Sequence, residues 1–397
     1  MDFEFFNRDY ATLIEELERF LGPTEIDRKL KKIDHALRHR NPLVAAYYGP
    51  TPKAALWLGL RKARQAVKQH SRISVGDEHV YRALDLAATL RALWPSTPDW
   101  RRKDLKSQLL SESALEPVLL EVKTALHLVL SGHKITWIEP ARTPGVRTPD
   151  LVGEKDSFAF EVECKAQSVN EGRKVVREAM HDFCYRLATA ILGDKVAGLW
   201  RDVSVCVPDR FPAGHTWQQD LVERIAAIKH GGNVELADGT SAKVVLRLAT
   251  NHLPALAPGQ FGHMCILTAR ADGSEPTLTI RVGSTKPDTM LAAIEEDLND
   301  ALGQFSGARP GKIVCYVPEI PSFRGMNTLD SGIAQMTYHF FLRHQRARIV
   351  FEVDYVSDVD LQGGAGLARG LHFLRFRNPN HPFQSPSPRA QQPSSPN

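Results

Sequence analysis

The sequence predicts an α/β fold, in which a mixed sheet core is flanked by helices and preceded by an all-helical N-terminal region. Three observations support this prediction. Residues 1–110 show apolar side chains at helical spacing, whereas residues 111–210 contain strand patterns between long helices. Residues 211–377 continue as a mixed α/β region that completes or elaborates the core, and residues 378–397, rich in Pro, Ser, Gln and Asn, are predicted to form a disordered tail.

The composition is that of an ordinary globular protein with a mildly basic charge. The 397 residues suffice for one large domain or two to three smaller ones, and 43% of them are hydrophobic, enough for a sizeable core. The net charge of +4 permits nucleic-acid binding without demanding it.

The cysteines and the N-terminus indicate a cytoplasmic protein. The five cysteines are scattered and form no C-x-x-C pair, which argues against a disulfide framework and against a zinc site. The first six residues are acidic and aromatic, unlike a signal peptide, and no apolar run approaches the ~20 residues of a membrane span. We therefore expect a soluble, cytoplasmic protein without membrane contact.

The N-terminal region is predicted as four helices. They cover residues 10–21, 26–37, 52–69 and 77–93. Lysines and arginines are dense between positions 28 and 72, and two interpretations stay open. The basic residues form solvated helix faces, or they hold a nucleic-acid backbone or dock a partner, which includes a second copy of the chain.

The remaining elements follow from periodicity and turn residues. Helices are predicted over residues 113–130, 171–192, 217–229, 290–305 and 331–343. Strands are predicted over residues 134–138, up to 150–152, 157–165, 203–207, 234–236, 242–248, 263–268, 277–282, 311–317 and 347–356, with a turn at 153–156. The strands between 234 and 282 are expected to be antiparallel.

Two triplets carry the chemistry: Thr148-Pro149-Asp150 and, thirteen positions after Asp150, Glu163-Cys164-Lys165. Hydrolysis of a phosphodiester needs an activated water and relief of charge in the transition state, and a hard divalent cation with oxygen ligands supplies both. Asp150 and Glu163 provide carboxylates, and strand alternation places Glu163 and Lys165 on one face. Cys164 points the other way as a small core residue, which leaves its backbone carbonyl as a third metal ligand.

Three further polar residues each have a functional and a structural interpretation. Glu121 on the preceding helix either helps at the metal or pairs on the surface with Lys123 or Lys106. Glu161 is either an accessory acid or an edge carboxylate. Gln167 is either a substrate contact or, as the simpler alternative, a surface glutamine at the strand end.

This arrangement resembles the PD-(D/E)xK nuclease superfamily, which has a restriction-endonuclease-like fold. Pro149-Asp150 is similar to the PD half, Glu163-Cys164-Lys165 to the (D/E)xK half, and Glu121 to the acid on the first core helix. The resemblance covers residues 111–207, and the segment 290–317 is a candidate to complete the same core, with 217–282 inserted. It implies a mixed sheet flanked by helices, dependence on Mg²⁺ (or Mn²⁺), and cleavage of DNA or, less often, RNA.

The predicted function is that of a metal-dependent endonuclease that prefers DNA to RNA, by analogy in a prokaryotic defence or restriction setting. Asp150, Glu163, Lys165 and Glu121 are the catalytic candidates, and Asp150, Glu163 and Cys164 are the metal ligands. The alternative is a non-catalytic nucleic-acid-binding or scaffold protein that keeps a nuclease-like fold, because fold alone does not fix function.

Overall fold

The computed structural model divides the chain into two compact units. The first unit comprises residues 1–34, 51–169 and 293–397, and the second comprises residues 35–50 and 170–292. The structure describes residues 7–39, 51–69, 76–111, 114–141, 147–168, 170–192, 200–211, 215–228, 230–247, 261–268, 277–318, 332–357, 361, 367 and 371–382.

The described residues form an α/β structure with ten α-helices, two 3₁₀-helices (Trp94–Ser96 and Gln345–Ile349) and eleven strands. The helices are α1 (Asn7–Leu21), α2 (Pro23–Arg38), α3 (Pro52–Lys68), α4 (Glu78–Leu93), α5 (Asp99–Leu110), α6 (Glu116–Leu130), α7 (Arg177–Leu192), α8 (His215–Ala226), α9 (Met290–Leu302) and α10 (Gly332–Arg343). The strands are β1 (Lys134–Trp137), β2 (Leu151–Lys155), β3 (Phe158–Ala166), β4 (Trp200–Val207), β5 (Gly232–Glu235), β6 (Ser241–Arg247), β7 (Phe261–Thr268), β8 (Thr277–Ser284), β9 (Gly311–Tyr316), β10 (Val350–Val356) and β11 (Leu374–Arg377).

The N-terminal region is helical, and α1 to α4 are the four helices that the apolar spacing predicts. Asp77 caps α4, since its side chain accepts hydrogen bonds from the amides of His79 (3.0 Å) and Val80 (3.2 Å). Gly59 lets α3 approach α4 closely, because a Cβ at this position would lie 1.8 Å from the carbonyl oxygen of His79.

The first unit contains a six-stranded mixed sheet in the order β1-β2-β3-β9-β10-β11. β1, β2 and β3 form an antiparallel meander, β9 and β10 are parallel to β3, and β11 is antiparallel to β10. On one face Phe160 and Val162 of β3, together with Val314 of β9, join the same hydrophobic cluster as the buried residues of α6 and of the N-terminal helices. Burial of this shared apolar surface anchors the sheet to the helical region.

The position of β9 beside β3 shows how the segment 290–317 enters the sheet. Glu163 of β3 pairs with Ile313 of β9, although more than a hundred residues separate the two strands in the sequence. Residues 170–292, which lie between the two strands, form most of the second unit, so the first unit is discontinuous.

The second unit has its own five-stranded sheet in the order β5-β6-β4-β8-β7. β4 and β8 are parallel, while β5/β6 and β7/β8 are antiparallel as predicted. Phe183 and Leu187 of α7 and Leu221 of α8 pack with Val203 and Val205 of β4. The sequence grouped α7 and β4 with residues 111–210, whereas the structure places both elements in this second unit.

The β2–β3 hairpin differs from its prediction at both ends of β2. β2 begins at Leu151 rather than ending near residues 150–152, and it runs through the predicted turn to Lys155. The turn consists of Asp156 and Ser157, which have φ of 50° and 66°. Two-residue hairpin loops favour positive φ because that twist matches the strands, and aspartate tolerates it.

Other differences concern element ends and two missed elements. The helix predicted from residue 171 begins at Arg177, because Gly172 adopts a φ of +69° and its carbonyl accepts a hydrogen bond from the amide of Thr289. The helix predicted from 113 begins at Glu116, and residue 113 lies outside the described residues. α5 and β11 were not predicted.

The structure describes the first five residues of the predicted tail, 378–382. Asn378 is buried, and its side-chain amide donates hydrogen bonds to the carbonyls of Ala347 (3.1 Å) and Val350 (2.9 Å). Residues 383–397 lie outside the described residues. None of the described helices combines the length and apolarity needed to cross a membrane.

Candidate active site

The two triplets meet where β2 begins and β3 ends. The amide of Asp150 donates a hydrogen bond to the carbonyl of Val162 (3.0 Å), and its carboxylate oxygen Oδ2 accepts one from the amide of Cys164 at 2.7 Å. Because the hairpin is antiparallel, the first residues of β2 lie beside the last residues of β3. Asp150 is therefore fixed directly against the Glu163-Cys164-Lys165 triplet.

Glu163 and Lys165 share a face of the sheet, as strand alternation predicts. Phe160, Val162 and Cys164 belong to the hydrophobic cluster on the other face. The Nζ atom of Lys165 lies 3.2 Å from Oε1 of Glu163, and Glu163 is only 3% exposed. The second carboxylate oxygen of Glu163, Oε2, is buried and has no hydrogen-bond partner among the described residues.

Cys164 contributes backbone groups at the edge of the hairpin. Its side chain is partly buried on the face opposite Glu163, and burial together with the nearby Asp150 carboxylate raises the pKa of its thiol. The last pair of the β2–β3 ladder is Leu151 with Val162, so Cys164 lies two residues beyond it. Since the amide and carbonyl of one strand residue point to the same side, its carbonyl faces the edge on which Asp150 sits.

Asp300 of α9 belongs to the site, and sequence reasoning missed it. Its Oδ2 lies 2.6 Å from Nζ of Lys165, and its Oδ1 accepts a hydrogen bond from Arg147. Lys165 thus lies between two acids, Glu163 and Asp300. No local motif surrounds Asp300, and 135 positions separate it from Lys165, so only the pairing of β3 with β9 reveals the contact.

Glu121 borders the site through an arginine that the sequence interpretation did not consider. Arg101 of α5 contacts both Glu121 and Asp104, and its guanidinium lies 4.8 Å from the ring centre of Trp137. The suggested surface pairing of Glu121 with Lys123 or Lys106 is wrong: Glu121 is largely buried, and Lys123 is paired with Asp85.

The carboxylates at the site outnumber the cations that face them. Burial, and then the Asp150 charge, raise the pKa of Glu163 to about 9 despite the opposing effect of Lys165. Burial and Asp150 likewise raise the pKa of Glu121 to about 7 against the effect of Arg101. Burial also raises the pKa of Asp150, although its hydrogen bond from Cys164 opposes this shift. The cluster is therefore short of positive charge.

A divalent cation would supply the positive charge that this cluster lacks. Among the described residues, no group of three or more His, Cys, Asp or Glu side chains is arranged to hold a metal ion. The predicted ligand set is smaller than such a group, since it comprises two carboxylates, Asp150 and Glu163, and the carbonyl of Cys164. The buried, unpartnered Oε2 of Glu163 is a donor of the hard oxygen type that Mg²⁺ and Mn²⁺ prefer.

A cavity of about 320 Å³ adjoins the carboxylates. Asp150 and Glu121 form part of its wall, and Arg147 reaches it from the side of Asp300. Its other lining residues come from α5, from the segments around β1 and β2, and from the end of α9: Trp100, Arg101, Asp104, Gln108, Ile138, Pro140, Ala141, Thr148, Pro149 and Gln304.

The two remaining candidates, in β3 and directly after it, have structural partners. Glu161 is buried and accepts hydrogen bonds from the amide (2.8 Å) and the hydroxyl of Ser306, so it holds the turn before β9. Gln167, the residue after β3, is not a surface residue: it is 3% exposed, and its backbone amide donates to the carbonyl of Tyr316 (3.2 Å), while its side-chain nitrogen has no hydrogen-bond partner among the described residues.

Several basic residues of the N-terminal helices are paired with acids of the same region. Arg64 contacts Glu18 (2.7 Å) and Asp27 (2.8 Å), and Arg61 contacts Asp34 at 2.8 Å. These contacts tie α3 to α1 and α2. Arg61 and Arg64 are therefore engaged within the helical region, and neither interpretation of the other basic residues is decided by these pairs.

Comparisons of the chain with protein-family models, with curated proteins and with solved structures find no match.

Proposed function

We propose that the protein is a metal-dependent hydrolase of phosphodiester bonds. Within that class, the substrate that suits the site is a nucleic acid, DNA in preference to RNA, cut as by an endonuclease. The observation that carries the proposal is the hydrogen bond from the Cys164 amide to Asp150, because it joins the two acidic halves at one edge of the sheet.

Each site residue has a role that its contacts support. Asp150, Glu163 and the carbonyl of Cys164 would hold Mg²⁺ or Mn²⁺, and such an ion supplies charge neutralisation and an acidified water. Lys165, placed between Glu163 and Asp300, donates to the attacking water or to a phosphate oxygen. Glu121 acts from the rim, where Arg101 restrains it.

The topology of the first unit supports a restriction-endonuclease-like core. A helix, α6, leads into the β1–β2–β3 meander, and β9 then adds to β3 in parallel. The candidate residues lie where β2 begins and β3 ends. The second unit is inserted between β3 and α9.

The test is cleavage of plasmid DNA, single-stranded DNA and RNA by the full chain with Mg²⁺, Mn²⁺ or EDTA. We expect metal-dependent cleavage that falls by ~10²–10⁴-fold in Lys165→Ala, the range for loss of one proton-transfer or charge-stabilising group. Asp150→Asn should abolish metal-dependent cleavage.

Lys155→Ala is the matched control, because this lysine belongs to the same hairpin, is exposed and donates only to the Ser131 carbonyl among its described contacts. It should cut like wild type. Absence of cleavage of every substrate with metal present, or full activity in Lys165→Ala, would sink the proposal.

A second candidate function is a non-catalytic nucleic-acid-binding or scaffold role. The contact between Arg101 and Glu121 favours it, because the arginine is paired with an acid that a nuclease would use at the metal. The same cleavage panel separates the two functions, since a scaffold binds nucleic acid without cutting it in any metal.

A further inference from the structure

The cavity beside Asp150 has the size and walls of a site for one flat ligand. Its volume, about 320 Å³, lies at the lower end of the range of small-molecule pockets, ~300–1,000 Å³. A space of this size holds a single nucleobase or nucleoside, whereas the groove-filling contact with a duplex requires a longer, open surface.

The walls combine apolar faces with charges of both signs. Trp100, partly exposed on α5, lines the cavity together with Ile138, Pro140 and Pro149. The charged lining residues are Arg101 and Arg147 against three acids, Asp104, Glu121 and Asp150. This excess of acid disfavours a phosphate inside the cavity, whereas a neutral aromatic ring stacks on tryptophan at little electrostatic cost.

The cavity is continuous with the proposed reaction centre through shared residues. Asp150 lines the cavity and accepts the Cys164 amide, and Arg147 lines it and contacts Asp300, the partner of Lys165. A base inside the cavity therefore places its own sugar–phosphate at the edge where Asp150, Glu163 and Lys165 lie.

We infer that this cavity binds the nucleobase next to the scissile phosphate, so that the substrate is single-stranded or locally unpaired DNA. A base stacked within a duplex cannot enter a concave pocket without leaving the stack. The inference rests on the proposed function, and it adds the class of nucleic acid and the residue, Trp100, that recognises it.

The test is fluorescence anisotropy of fluorescein-labelled DNA bound by the full chain, with Ca²⁺ in place of Mg²⁺. The probes are a 12-nucleotide single strand, the same strand in a duplex, and a single strand whose central nucleotides are abasic. Stacking of one base contributes ~1–3 kcal/mol. We therefore expect the wild type to bind the normal strand about 5- to 150-fold more tightly than the abasic strand.

Trp100→Leu should remove that preference, because leucine keeps apolar bulk but lacks a π face, and binding of the abasic strand should not change. Trp100→Phe should retain most of the preference. Trp94→Leu is the matched control, since Trp94 is also partly buried and does not line this cavity. Circular dichroism verifies the fold of each variant. If Trp100→Leu does not fold, the preference of Trp100→Phe for the normal over the abasic strand is the test.

Equal binding of the normal and abasic strands, or the same loss on all three probes in Trp100→Phe and Trp100→Leu, would overturn the base site. Its failure is distinguishable from that of the nuclease proposal. Cleavage of duplex and single strand alike, unaffected by Trp100→Leu, removes the base site and leaves the nuclease. Base-dependent binding through Trp100, without cleavage in Mg²⁺ or Mn²⁺, supports the base site and contradicts the nuclease.

Discussion

Two clusters of buried and half-buried charges in the first unit differ in how many cations face their carboxylates. The candidate-site cluster consists of Asp150, Glu163, Lys165 and Glu121. The β9–β11 cluster consists of Lys312, Glu352, Asp354 and Arg375. Lys312 pairs in register with Val162, whose side chain lies on the helix-covered face, so the second cluster faces away from Glu163.

In the β9–β11 cluster Asp354 has two cationic partners, and Glu352 has three, the third being Arg377. Lys312 lies 2.7 Å from Glu352 and 2.6 Å from Asp354, and Arg375 makes two hydrogen bonds to Asp354 at 2.8 and 2.9 Å. Burial alone would raise the pKa of Asp354, but Lys312 and Arg375 lower it below the ordinary value.

The direction of the pKa shifts therefore separates the clusters. Asp150, Glu163 and Glu121 have raised pKa values, and one oxygen of Glu163 has no partner among the described residues, whereas Asp354 has a lowered pKa and is fully paired. Paired charges are typical of a structural role, and an unbalanced set of acids is typical of a site that awaits a ligand.

The largest expected effect breaks the structural cluster. Lys312→Met leaves Glu352 and Asp354 buried with fewer cations, which should lower the free energy of unfolding by ~3–5 kcal/mol. Urea denaturation followed by circular dichroism measures this loss, and cleavage per folded molecule should stay at the wild-type level. Lys155→Met, which changes an exposed lysine, should stay within ~0.5 kcal/mol. A Lys312→Met variant as stable as that control would show that the pairing is dispensable.

The second prediction uses pH to sharpen the contrast. A carboxyl whose pKa is raised to about 9 on folding binds more protons in the folded than in the unfolded state. Its contribution is fully present below pH ~4.5 and is lost as the pH rises toward 9. Without metal, wild type should therefore lose more stability between pH 5.5 and 8.5 than Glu163→Gln, which stays neutral throughout.

Denaturation at pH 5.5, 7 and 8.5 in EDTA, then in Mg²⁺, measures this difference. Mg²⁺ should stabilise the wild type more at pH 8.5 than at pH 5.5, because ligands must lose their protons before they bind. Each kcal/mol corresponds to ~2–4 °C in Tm for a unit of this size. Parallel pH curves for wild type and Glu163→Gln would refute the raised pKa of Glu163.

The smallest expected effect concerns Glu121. Because Arg101 already holds this carboxylate, Glu121→Gln should reduce cleavage by about 10-fold or less, or ~1.4 kcal/mol in the barrier. Steady-state cleavage at pH 7 and 8.5 checks it, with Glu116→Gln in the first turn of the same helix as the control. A loss as large as that of Lys165→Ala would instead assign Glu121 to the metal ligands.

Local patterns predicted the elements whose periodicity is strong and whose partners are near in the sequence. The helices α1 to α4 follow from apolar spacing, and the shared face of Glu163 and Lys165 follows from strand alternation. The missed α5 buries a charged residue, Arg101, beside only two leucines, so its apolar stripe is weak. The missed β11 is a four-residue edge strand in which arginines alternate with apolar residues.

Long-range pairing explains the rest of what the sequence did not predict. Asp300 contacts Lys165 only because α9 packs near β3 in the fold. No sequence spacing predicts a contact over 135 positions. The contact of Arg101 with Glu121 likewise depends on how two separate helices pack. The boundary of the second unit was misjudged because α7 follows β3 directly and its burial partners lie in another sheet.

The insertion between β3 and α9 also sets the order in which the site is assembled during translation. Asp150, Glu163 and Lys165 leave the ribosome long before Asp300 does, and at ~5–20 residues per second the 135 intervening positions take about 7 to 27 s to synthesise. During that interval β3 has no parallel neighbour, and Lys165 lacks one of its two acids. A nascent chain is therefore expected to complete the two ion pairs of Lys165 only after the second unit has been made.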